Sequence, residues 1–145
     1  MPQPKVDFYL LDEASDDAFF LFACRLLEKA YLRKHRIFVF CDSQKQAETL
    51  DERLWTFRPD SFIPHNLQGE GPESPPPVQI GYGDEPRGFN DILLSLSAEI
   101  PAFYNRFRRV LEIVPFLDEE RETSRAHYKQ YRAAGCPVDS HKISA

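Results

Sequence analysis

The chain has 145 residues, 42% of them hydrophobic and 28% charged, which is the profile of one globular domain and not of a disordered chain. A formal charge of −5 and a pI of about 5.4 argue against a general nucleic-acid binder, because phosphate affinity rests on an excess of Lys and Arg. Three widely spaced cysteines, Cys24, Cys41 and Cys136, form no CxxC pair, so the pattern calls for neither a disulfide framework nor a metal or other cofactor.

The first thirteen residues, MPQPKVDFYLLDE, lack the basic region and long apolar run of a signal peptide. No apolar stretch approaches the length of a membrane span, so a cytoplasmic protein is expected. VDFYLL (6–11) is a run of strand formers closed by the acidic, turn-prone DEASDD. Phe19, Phe22, Ala23, Leu26, Leu27, Ala30 and Tyr31 then fall on one helical face, with Asp16 and Asp17 at its start and Arg33, Lys34 and His35 at its end. IFVFC (37–41) is an uninterrupted apolar run, the mark of a strand buried on both faces. Ser43 and Gln46 make a capping-box signature before a second helix carrying Ala47, Leu50 and Leu54.

The next stretch, residues 55–72, holds the only Trp together with Phe57, Phe62 and His65. It also holds three prolines and two glycines, so it reads as a loop, followed by a stiff extension through Pro75, Pro76 and Pro77. Short strands are expected at 78–82 and 91–96, a helix over 100–109 with Pro101 in its first turn, and a late strand at 110–116. A final helix from Asp118 to about Ala134 has acids first, bases last and Gly135 as its stop. Residues 136–145 read as a loosely held tail. Strand–helix alternation predicts one α/β domain spanning residues 1–145, with a mostly parallel central sheet and helices on both faces.

Such a sheet raises the question of a nucleotide, whose phosphates need glycines where the first strand meets the first helix. Here that turn is LLDEASDDAF, with four acids and no glycine, and the chain contains neither GxGxxG nor GxxxxGK[ST]. The arrangement is Rossmann-like without a nucleotide-binding loop. A small nucleotide-handling enzyme is the alternative reading; it would use His65 as acid or base with a carboxylate such as Asp60. A loop histidine bonded to backbone is the commoner use of such a residue.

The last helix says more. Arg121, Arg125, Lys129 and Arg132 are spaced by four, four and three residues, and Tyr128 lies three after Arg125, so they share a face. Such a run is often a solvated, salt-bridged surface. Its other use is a cationic stripe that holds an acidic peptide or a terminal carboxylate while an apolar side chain packs near Tyr128. Trp55, Phe57 and Phe62 divide in the same way between core and partner-binding surface.

Four ordered blocks carry a resemblance. They are FYLLD (8–12), KQAETLDERLW continuing through RPDSFIPHNLQGEGP (45–72), DILLSL (91–96), and VPFLDEE followed by RAHYKQYRAAG (114–135). Together they resemble the chi subunit family of bacterial DNA polymerase III over nearly the whole chain. The resemblance implies a single α/β domain without catalysis of its own. It implies an accessory protein that ties the clamp loader, through the psi subunit, to the acidic C-terminal tail of single-strand-DNA-binding protein without gripping DNA itself. Carried over, the tail site falls on Arg125, Tyr128 and Lys129, with Val114 and Phe116 lining its apolar part. The surface for psi, or for a competing helicase in some families, falls on Trp55 and Phe62 with Pro64 and His65 beside them. Phe57, the 75–77 and 81–89 segments and the C-terminal CPVDSHKISA depart from the family pattern.

Overall fold

A run of apolar strands with so few polar interruptions can only be satisfied in the middle of a sheet covered on both sides. The computed structural model, which describes residues 3–71 and 75–143, places all seven of its strands in one sheet. They are β1 (Lys5–Leu11), β2 (Ile37–Cys41), β3 (His65–Leu67), β4 (Val78–Tyr82), β5 (Ile92–Ser95), β6 (Arg109–Val114) and β7 (Val138–Ile143). The spatial order is β3-β4-β2-β5-β6-β1-β7 and every pairing is parallel. Three helices, α1 (Asp16–Leu32), α2 (Gln44–Thr56) and α3 (Asp118–Ala133), complete a Rossmann-like single domain.

Strand alternation sorts the core into two layers. Ile37, Val39 and Cys41 of β2, Leu94 of β5 and Leu111 and Ile113 of β6 face α1 and α2. Phe38 of β2, Val6 and Phe8 of β1 and Val110 and Val114 of β6 face α3 and the buried rings of Phe103 and Phe107. Connections running toward β3 use α1 and α2 on one face. Those running toward β7 use the other face, as a constant crossover hand requires.

Local signals set the helix ends. Ser15 Oγ accepts from the Ala18 amide at 3.1 Å and Ser43 Oγ from the Gln46 amide at 3.1 Å. The Gln46 side chain closes its half of the box one residue early, accepting from the Asp42 amide at 2.8 Å. α3 ends with Gly135 at φ 90°, the Cys136 amide reaching back to Tyr131 O and the Gly135 amide to Arg132 O, a Schellman stop.

Three expectations fail. The 55–72 stretch is not all loop: Trp55 and Thr56 finish α2, and His65–Leu67 forms the edge strand β3, whose brevity kept it below the reach of pattern reading. Pro72 lies outside the described residues. The helix expected over 100–109 is one 3-10 turn, Tyr104–Arg106. Its amides bond three residues back, and burying both Phe103 and Phe107 against the sheet leaves no length for a regular helix before Arg109 opens β6. The expected loose tail is β7 over residues 138–143, in register with β1 from Val6↔Val138 to Leu11↔Ile143. Its mostly exposed polar side chains hid it from a hydrophobic reading.

Candidate partner-binding site

Two clefts flank β6. The larger, about 630 Å³, opens where β2 and β5 end and their connections leave in opposite directions, the place where this sheet type usually takes ligands. Asp16, Asp42, Glu119 and Glu120 line it, and the Ser15 and Ser43 hydroxyls at its rim are already committed to helix caps. It has no glycine cradle for a phosphate.

The smaller cleft, about 260 Å³, has a different build. Phe8 and Leu10 of β1 and Val114 of β6 form its floor. Successive turns of α3 supply Arg121, Ser124, Arg125, Tyr128 and Lys129, and Ser140 of β7 closes the edge. The Tyr128 ring leans on Phe8 with centroids 5.9 Å apart, and Arg132 donates to the Tyr128 hydroxyl at 3.2 Å while covering its ring. Among the described residues, no ion pair involves Arg121, Arg125 or Lys129. Arg125 and Lys129 are exposed, so the surface is solvated, but the salt bridges expected of such a run are absent among the described residues. The structure builds a cationic rim over an apolar floor, which suits an anionic group next to an apolar side chain.

Of the five residues expected at this site, Val114, Arg125, Tyr128 and Lys129 come together in the cleft. Phe116 does not line it. Its ring is 57% exposed and lies under the Arg121 guanidinium, 4.6 Å from the ring centroid. Phe8, Leu10 and Ser140 were not foreseen. Alternation puts Phe8 and Leu10 on one face, but only the passage of α3 over β1 turns that face into a pocket.

At the opposite edge of the sheet, Trp55 is 55% exposed and Phe62 66% exposed, their rings 5.9 Å apart. Pro64 beside them is half-buried. His65 is buried and props Trp55 from beneath at 4.6 Å, so it supports the patch and does not face outward. Its Nδ1 meets Ile63 O at 2.6 Å, and its Nε2 lies 3.2 Å from Asp51 Oδ1 and 3.3 Å from Asp51 O. The carboxylate beside it is Asp51, not Asp60, and a histidine so enclosed has no open face toward a substrate. Phe57 is partly buried against the core.

The chain is thus an all-parallel α/β domain whose sheet-end cleft lacks a phosphate cradle and whose last helix carries cations around an apolar pocket. The comparison with known proteins makes this specific. The family model described as DNA polymerase III chi subunit, HolC, matches residues 3–139. The DNA polymerase III subunit chi of Pseudomonas aeruginosa is 37% identical over 139 residues, 96% of each chain. That of Escherichia coli is 36% identical, covering 88% of this chain and 90% of its own, and that of Haemophilus influenzae is 33% identical, covering 94% and 95%. The chain belongs to the DNA polymerase III chi subunit family.

Among the described residues no helix is long and apolar enough to cross a membrane, and no cluster of His, Cys, Asp and Glu has the makings of a metal site.

Proposed function

We propose that this chi-family protein is a non-catalytic, cytoplasmic adaptor that couples DNA polymerase III to single-strand-DNA-binding protein. The acidic C-terminal tail of that protein lies along α3. Its carboxylates meet Arg125 and Lys129, and its apolar end packs on Val114 and Phe8 beside Tyr128. The Trp55–Phe62 patch, with Pro64 beside it and His65 beneath, takes the psi subunit or a helicase that competes with it. The observation that carries this reading is the pocket in which cations without an ion pair among the described residues surround an apolar floor.

The two surfaces share no residue and lie toward opposite edges of the sheet, β7 for one and β3 for the other, so one molecule holds both partners at once. An acidic overall charge keeps the protein off DNA while the local cationic stripe selects an acidic peptide.

The test is a fluorescence-anisotropy titration against a labelled copy of the host's tail peptide at low and high salt. Lys129→Glu and Arg125→Ala are each expected to weaken binding by about 1–3 kcal/mol, the scale of a lost charge-assisted contact. Wild-type affinity should also fall as salt rises. Equal tail affinity in wild type and Lys129→Glu would remove the site from α3.

A further inference from the structure

Beside the tail pocket, bordering the larger cleft, lies a buried polar cluster that the adaptor reading does not use. His127 sits on the inward face of α3, one residue before Tyr128 and two before Lys129. Its Nδ1 lies 2.8 Å from Glu112 Oε1 and 3.1 Å from Oε2, and its Nε2 lies 2.8 Å from the Ala98 carbonyl oxygen. Tyr131, one turn on, donates its hydroxyl to Glu112 Oε2 at 2.7 Å. Nε2 therefore faces a backbone carbonyl, which only accepts, and Nδ1 faces the Glu112 carboxylate, whose Oε2 already accepts from the Tyr131 hydroxyl. A neutral imidazole carries one N–H and can satisfy only one of them, leaving a lone pair against an oxygen at 2.8 Å. Both contacts are satisfied when a second proton lies between Nδ1 and Glu112 Oε1, the imidazolium–carboxylate form of the pair.

Taking the Arg125–Lys129 pocket as the acidic-tail site of the preceding section, we propose that His127 is its positioning residue, a buried imidazolium that locks α3 to β6 and to the loop after β5 and whose loss of a proton weakens tail binding. The lock joins three elements, namely α3 through His127 and Tyr131, β6 through Glu112, and the loop through Ala98. Glu112 lies two residues before Val114 of the pocket floor, on the same face of β6. A shift of α3 on this anchor moves Arg125, Tyr128 and Lys129 relative to Phe8 and Val114.

Other groups face the same enclosure. The Ser95 hydroxyl of β5 lies beside Glu112 in the strand register, buried and without a partner among the described residues. Asp42 at the end of β2, Lys45 and Arg53 of α2, and Glu119 and Glu120 of α3 line the larger cleft that His127 also borders. Burial alone would lower the His127 pKa. The hydrogen bond and charge of Glu112, with the Ala98 carbonyl, outweigh it and raise the pKa above the ordinary histidine value. The locked state is thus fully present below the ordinary histidine pKa and is lost as pH rises through the raised one.

The test measures affinity for a rhodamine-labelled tail peptide by anisotropy from pH 6 to 9 at fixed ionic strength, on the full chain. The His127 imidazole is followed over the same range by NMR. Wild-type affinity is expected to fall by about fivefold or more through the His127 transition, the scale of coupling between linked sites. His127→Gln, which can still donate to the Ala98 carbonyl but cannot titrate, gives a pH-independent affinity. Glu112→Gln moves the midpoint to lower pH, because the group that holds the proton is gone.

A wild type that binds tail with no pH dependence across the imidazole transition overturns the proposal, as does His127→Gln with the wild-type slope. If either variant fails to fold, the coincidence of the two wild-type transitions decides. A wild type that binds no tail at any pH overturns the tail site as well, which separates the two failures.

Discussion

Asp7 is 1% exposed and holds three strands together at once. From β1 it accepts from Arg109 Nε of β6 at 2.8 Å, from His141 Nε2 of β7 at 2.8 Å and from Lys5 Nζ at 3.3 Å. Asp7→Asn keeps the shape and removes the charge, leaving three donors around an amide that can accept at only one atom. Stranding a buried charge's partners costs about 3–5 kcal/mol when they stay buried. Here Lys5, Arg109 and His141 are each partly exposed and recover water, so the expected loss is smaller, about 2–3 kcal/mol.

Urea unfolding at pH 7 should show a lower midpoint with an unchanged slope. Hydrogen exchange should speed up first in the amides of β7, the edge strand that this cluster fastens. The pH dependence follows from the sign of the Asp7 shift. Burial pushes its carboxyl up, but the hydrogen bonds from His141 and Arg109 and the charges of Arg109 and Lys5 prevail and hold it below the ordinary carboxylate value. Its stabilisation is therefore complete above the unfolded-state pKa and disappears as pH falls through the depressed folded value. The stability gap between wild type and Asp7→Asn should narrow toward pH 3. A gap below about 0.5 kcal/mol at pH 7, the range of ordinary surface changes, would refute the idea that this cluster fastens β7.

Two further outcomes are expected. Gly81 of β4 has no room for a methyl group: a Cβ there would come 2.7 Å from Phe38 Cζ and against the Gln68 side-chain oxygen. Gln68 can swing away but the buried Phe38 ring cannot, so Gly81→Ala should cost about 1–3 kcal/mol in a thermal melt and leave tail binding untouched. Burial pushes the Cys24 and Cys41 thiols up to about 12, so a thiol reagent at pH 8 should modify neither until denaturant is added.

The interior elements were legible because each carries a signal made of its own residues. IFVFC is a central strand on apolar content alone, α2 shows both a capping serine and an apolar face, and α1 shows an apolar face with acids at its start. The edges were not. Solvent covers one side of an edge strand's backbone, so β7 can be built from VDSHKI and β3 from three residues, HNL. What makes β7 a strand lies elsewhere in the chain, in Asp7 and in the open side of β1. A reading that scores each segment by itself assigns such residues to a tail.

The pocket on α3 divides the same way. Helical spacing brought Arg121, Arg125, Tyr128 and Lys129 to one face without help from the fold. The floor depended on topology, because Phe8 and Leu10 meet that face only when the β6-to-β7 crossover carries α3 over β1. Phe116 shows the converse. Extending β6 to residue 116 would put Phe116 two places after Val114 and on its face. The strand instead ends at Val114, and Pro115 turns the chain, so the alternation does not carry through. The Phe116 ring emerges under Arg121, whose Nε is buried without a hydrogen-bond partner among the described residues and whose guanidinium rests on that ring. In the proposed complex Phe116 would therefore act on the tail by setting where Arg121 stands at the rim.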